Sequence, residues 1–201
     1  MKLLSRALAL LPVLALASPE DSLSQAKDLF ARREWKKAAD TLLNIPIANW
    51  PEPQRIEALR LKAQASSFAK LGEQAESSIL EALKLQPNTP DWWILLGDNY
   101  QQNFADRQKD ALDAYQKALA LSGSSRGWQR FASALAIAQH HTDEAHGEAA
   151  LETLRPLESL PDVAPVWRIK IVRGIAHALA SLGKNTEALA KFREALALEK
   201  P

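Results

Sequence analysis

A short apolar signature recurs five times along the chain. An alanine is followed four residues later by a larger apolar residue and seven later by a small or apolar one. The sets are Ala38, Leu42 and Ile45; Ala75, Ile79 and Ala82; Ala111, Tyr115 and Ala118; Ala150, Leu154 and Leu157; and Ala188, Phe192 and Ala195. Residues spaced i, i+4 and i+7 share one face of an α-helix. The alanines are separated by 37, 36, 39 and 38 residues. A nearly fixed period of this size indicates stacked two-helix units, each burying its apolar face against the next. Upstream of these alanines lie further helical stripes: Leu23, Ala26, Leu29 and Phe30; Leu61, Ala65, Phe68 and Leu71; Trp128, Phe131, Ala132 and Leu135; Trp167, Val172, Ile175 and Leu179. The pattern predicts units over about 20–46, 54–87, 90–122, 126–160 and 163–200.

Breakers mark the joints. In the first unit Trp35 opens the second helix and Pro46 closes it. Pro46–Pro53 (PIANWPEP) holds three prolines and reads as a linker, with Trp50 packing it onto the array. Gly72 is expected to end the first helix of the second unit, and Leu182-Gly183 that of the fifth. Ser122-Gly123-Ser124-Ser125 breaks the chain and offers helix caps. Gln139–Gly147 reads as an extended polar turn, and Pro156 should kink or shorten the helix that contains it. The last helix is expected to turn Ala188, Phe192, Ala195 and Leu196 inward. Glu187, Lys191, Glu194 and Leu198 then form an outer face polar enough to predict a monomer.

The stretch 92–122 is the most specific. Trp93, Leu96, Gly97 and Tyr100 follow W-x2-L-G-x2-Y, and Ala111, Tyr115 and Ala118 follow at second-helix spacing. This resembles the tetratricopeptide repeat (TPR), a helix–turn–helix unit of about 34 residues. The resemblance covers roughly residues 20–200 and implies an all-α, right-handed solenoid of about five helix pairs. Against the family pattern, the third-unit turn around Phe104-Ala105-Asp106 is longer by about two residues. A less close resemblance is to bacterial kinesin-light-chain-like TPR proteins, whose own repeats are longer.

What the resemblance implies about function is a concave groove lined by first helices. Carried over residue by residue, the groove positions are Glu20, Leu23, Lys27, Phe30 and Ala31 in the first unit. They are Lys62, Ser66 and Lys70 in the second, Asp91, Ile94, Asp98 and Gln101 in the third, Arg126 and Gln129 in the fourth, and Lys170, Arg173 and His177 in the fifth. In this assignment cations outnumber carboxylates, which suits a protein or peptide partner with an acidic segment. Ser66 and Asp98 stand where carboxylate-clamp members of the family place asparagine, so chaperone-tail binding is not implied. Trp93, Trp128 and Trp167 fall in packing slots. Trp50 and Trp92 do not, and they are the candidates for exposed anchors.

Composition narrows the rest. Formal net charge is +1, which does not suit a nucleic-acid binder. There is no cysteine, so disulfides, thiol catalysis and cysteine-ligated metals are excluded. No phosphate loop, HExxH or GxSxG occurs, so no catalytic residue and no cofactor is assigned. Ser124 and Ser125 read as caps. His140, His141, Asp143, Glu144 and His146 are metal-ligand types, but in a polar turn they read as solvated side chains, and no metal site is assigned. Residues 1–17 carry Lys2 and Arg6, an apolar run from Ala7 to Ala17, and Ala15-Leu16-Ala17 before Ser18. That is the layout of an export signal. If uncleaved, the segment would be an apolar anchor for membrane contact. The expectation is a non-enzymatic adaptor or scaffold, an exported bacterial assembly factor in the periplasm or secreted. The alternative is a cytoplasmic, membrane-associated adaptor of a tubulin-like filament.

Overall fold

A computed structural model describes residues 18–43, 45–125 and 127–199. The expected signal in residues 1–17, and Arg126, lie outside the described residues. Ten α-helices follow in order: α1 (Pro19–Ala31), α2 (Trp35–Leu43), α3 (Glu52–Phe68), α4 (Gly72–Leu85), α5 (Pro90–Asn103), α6 (Gln108–Ser122), α7 (Trp128–Asp143), α8 (Gly147–Glu158), α9 (Pro165–Ser181) and α10 (Asn185–Leu198). A 3-10 turn, Ile47–Asn49, sits in the linker. Its Trp50 is half-buried against the core, as the sequence leads one to expect.

Local sequence explains the starts and stops. α1, α3, α5 and α9 carry proline in their first turn, where no backbone N–H is needed. Ser18 caps α1 by accepting the Asp21 N–H at 3.1 Å. The first helix of four units ends in the same way, with one left-handed residue: Arg33 (φ 61°), Lys70 (φ 62°), Ala145 (φ 59°) and Gly183 (φ 73°). In each, the next residue's N–H reaches back to close the helix: Glu34 to Leu29 C=O, Leu71 to Ser66, His146 to His141, and Lys184 to Leu179, at 2.7–3.0 Å. Each left-handed residue lies five positions before the second-helix alanine. The third unit lacks this device. Its longer turn leaves α5 through Phe104 in an extended conformation.

Within each unit two helices meet at small residues. A Cβ on Gly97 would lie 2.7 Å from the Tyr115 ring, closer than side-chain atoms approach. Ala26, Ala38, Ala65, Ala75, Ala118 and Ala150 are likewise fully buried. One apolar core runs from Leu23 to Ile137, and a second, from Phe131 to Ala188, joins α7 to α10.

Several expectations change. Gly72 opens α4 rather than ending α3, because the left-handed residue is Lys70. The histidine stretch is not an extended turn. α7 continues to Asp143, and only Glu144–His146 link it to α8. α2 is described to Leu43, and Pro46 lies beyond it in the linker. Phe68 is 50% exposed and Leu196 57%, so neither faces the core, and the outer face of α10 is more apolar than its sequence suggested. Trp128 is 43% exposed, whereas Trp167 stacks on Phe131 at 5.8 Å. Pro156 lies inside α8, which ends two residues later.

Two stability tests follow from these contacts. Gly97→Leu should lose about 2–4 kcal/mol, since a branched side chain must displace Tyr115. Ala145→Gly should gain roughly 0.5–1 kcal/mol, because glycine removes the left-handed strain and returns part of the gain as chain entropy. Thermal denaturation of both variants checks the pair, and opposite signs are expected.

Candidate partner-binding groove

First helices touch their counterparts along the whole array: α1 meets α3, α3 meets α5, α5 meets α7 and α7 meets α9. Second helices pack between them, on the flanking first helices. The first helices therefore form one continuous wall. Polar links run along it. Lys27 pairs with Glu57 at 2.6 Å, Arg60 with Asp91 at 3.5 Å, and Gln129 Nε2 donates to Asp91 at 3.0 Å.

The structure brings only some of the expected groove residues together. On α9, Lys170, Arg173 and His177 line a cavity of about 250 Å³ opposite Leu135, Gln139 and Thr142 of α7. Lys170 Nζ lies 4.7 Å over the Trp167 ring, Arg173 is ion-paired with Glu199, and His177 meets the edge of Phe192 at 5.0 Å. Asp91 and Gln129 are joined to each other on the wall. Asp98 is half-buried, and burial pushes its carboxyl above the usual range, opposed by the 2.7 Å hydrogen bond from Tyr115. Gln101 is exposed beside the same hydroxyl, at 3.1 Å.

Others are elsewhere. Ser66 and Ile94 are buried and cannot face a partner. Lys62 is half-buried, its ammonium held below its ordinary value by burial and partly restored by Glu81 of α4. Lys70 occupies the turn and donates to Gln102 C=O at 3.2 Å. Trp92, expected as an anchor, is fully buried, with Arg60 stacked 4.8 Å over its ring and its indole N–H donating to Gln86.

The displacement has one cause. The expected register was counted from the head of each first helix. Counted back from the left-handed turn residue, it is unchanged in the first and fifth units. It shifts by two residues in α3, to Glu57, Arg60, Gln64 and Phe68, and by six in α7, to Leu135, Gln139 and Thr142. Of these, the wall links pick out Glu57 and Arg60, and the cavity lining picks out Leu135, Gln139 and Thr142. The signal was present in the sequence. The second-helix alanine lies five residues beyond the turn, so counting from Ala75 and Ala150 gives the right faces. With this register the basic lean of the groove disappears along α1 to α5, where Lys27 and Arg60 have carboxylate partners. On α9, Arg173 is likewise paired, with Glu199, and Lys170 is the wall cation without a carboxylate partner among the described residues.

Near the α7–α8 turn, the rings of His140 and His141 lie 6.0 Å apart, and those of His141 and His146 6.5 Å. Among the described residues, no three His, Cys, Asp or Glu side chains are placed to hold a metal ion. Burial, and then the charges of His140 and His146, hold the His141 imidazole below its ordinary value. The unfolded chain thus binds more protons near pH 6.5, and this contribution to stability is lost as pH falls through that value. The melting temperature should drop from pH 7.5 to 5.5. His141→Gln should shrink the drop, as scanning calorimetry at the two pH values would show.

No protein-family model and no curated protein matches the chain. Solved structures do. A Podosopora anserina chain of nearly identical TPR-like repeats, provisionally described as a kinesin light chain, is 16% identical with a TM-score of 0.73, over 92% of this chain and 97% of that one. MamA is 19% identical with a TM-score of 0.66, over 87% and 94%. TTC0263, a thermophilic TPR protein of Thermus thermophilus, is 20% identical with a TM-score of 0.60, over 90% and 92%. At these identities the likeness shows the fold: an all-α solenoid of tetratricopeptide-repeat type.

Proposed function

We propose that this TPR solenoid is a non-enzymatic scaffold that holds a protein or peptide partner against its wall of first helices. The observation that supports this reading is the α7–α9 cleft. Lys170, Arg173 and His177 stand on one face of α9, one to two turns apart, opposite the amide of Gln139 and the hydroxyl of Thr142. Gln139 Nε2 and the Thr142 hydroxyl donate to Asp143 and Ala138 within α7, so their oxygens are left to accept from the N–H groups of an extended backbone, and the cations favour an acidic segment. Arg173 is held by Glu199 and exchanges that carboxylate for one of the partner's. In the leading version the chain is an exported assembly factor. The filament adaptor is the alternative. The native N-terminus separates the two by mass spectrometry: Ser18 as first residue supports export, and intact Met1 supports the interior.

A photo-crosslinker at Gln139 should capture a partner in the native cell, and one at Glu152, exposed on α8, should not. Joint reversal, Lys170→Glu with Arg173→Glu, should weaken the captured partner by about tenfold or more, roughly 1.4 kcal/mol, and flatten its salt dependence. The fold should survive, since both side chains are exposed. Crosslinks from Glu152 alone, or affinity indifferent to the reversal, would place the working surface elsewhere.

A further inference from the structure

The corner formed by the turns of the first two units, at the end of the wall where Phe30 and Phe68 stand, has chemistry that the α7–α9 cleft does not use. Phe30, Trp35 and Phe68 cluster there, with ring centroids 4.8 Å apart for Phe30 and Trp35, 5.1 Å for Trp35 and Phe68, and 6.0 Å for Phe30 and Phe68. Beside them lies a shallow notch of about 430 Å³, walled by Trp35 and Ala69 and rimmed by Arg33, Lys36 and Lys37. Half-exposed Phe68 faces outward next to Ala69, an unusual place for a large ring on a helix whose other apolar residues are covered.

The rim is poorly neutralised. Arg33 stands on the turn tip and has no ion pair or hydrogen bond from its side chain among the described residues. Lys36 and Lys37 pair with Asp40 and Glu34 of the same unit, but their side chains are 70% and 72% exposed, so those pairs are weak and exchangeable. Arginine is also a poor residue for this backbone. At φ 61° glycine is favoured, and the fifth unit has Gly183 at the equivalent place.

We propose that this corner docks a short acidic peptide segment carrying one apolar anchor residue. The anchor enters the notch against Trp35 and Ala69 and extends over the exposed Phe68 ring packed on Trp35, and flanking carboxylates face Arg33, Lys36 and Lys37. Charge complementarity selects the occupant. A bilayer surface is flat and would press phosphates on Glu34, which shares the rim, whereas a peptide places each carboxylate separately against a cation. The site is independent of the α7–α9 cleft.

A phage-displayed random dodecapeptide library selected on the full chain supplies the probe, and fluorescence anisotropy of the enriched peptide measures binding. The expected peptides hold an apolar residue flanked by Asp or Glu. Phe68→Ser and Arg33→Glu should each weaken them about tenfold, while Lys170→Glu with Arg173→Glu leaves them unchanged. Arg33→Gly is the sharper test, because it relieves the turn: melting temperature should rise while affinity falls, by about threefold or more. Loss of affinity without loss of fold separates docking from support. The proposal is overturned if no enriched peptide is sensitive to Arg33→Gly and Phe68→Ser, if the sensitive peptides are not acidic, or if phosphatidylglycerol vesicles bind through these residues and peptides do not.

Discussion

The left-handed turn that joins the two helices of a unit is the constraint on which the array depends. Its backbone hydrogen bonds reach back five residues and end the first helix at a set point. The second-helix alanine follows at a constant distance, so the two helices meet at the same phase in the first, second, fourth and fifth units. Phase decides which side chains meet the neighbouring unit and which remain open. In the third unit the turn is longer, and close packing takes over. Gly97 lies under Tyr115, whose hydroxyl reaches Asp98, while Arg107 holds Glu76 of the preceding unit at 2.9 Å and stacks 3.9 Å over Tyr100.

Charge follows from that phase. Along α1, α3 and α5 the cations of the wall face carboxylates one unit away, which steadies neighbouring helices and leaves little net field. At α9 Lys170 and Arg173 line a cavity, with the Trp167 ring beneath Lys170 and the neighbouring His177 ring set edge-on to Phe192. A low-dielectric wall sharpens their field there. At the other end, cations gather on the turn tips instead of the wall, around an exposed ring. The two ends therefore differ chemically although they share a backbone plan. A protein of near-neutral net charge can present two distinct basic surfaces in this way.

The apolar core is also divided. Of its two large clusters one runs through α1 to α7 and one joins α7 to α10, with a small third of Ala38, Ala39 and Ala65, and α7 contributes to both large ones through Ile137 and Phe131. In a stacked array, stability is a sum of units and the interfaces between neighbours. α7 is thus the element through which the two halves communicate. The α7–α9 cleft lies at that junction, and the histidine turn closes the same helix.

Helix number and the buried alanines were legible in the amino-acid sequence alone. They rest on local spacing, and a 3.6-residue period survives any detail of packing. Gly97 and Tyr115 were legible for the same reason. The groove register was not read correctly in α3 and α7, although the alanine spacing contained it, because those helices extend further ahead of their turns than the aromatic landmark suggests. Tertiary structure alone decided the fate of individual rings. Trp92 is buried under Arg60, and Phe68 is left open beside Trp35, since neighbouring units either cover a position or do not. It alone also paired Lys27 with Glu57 and Arg60 with Asp91, partners some thirty residues apart, and so decided where on the wall positive charge remains.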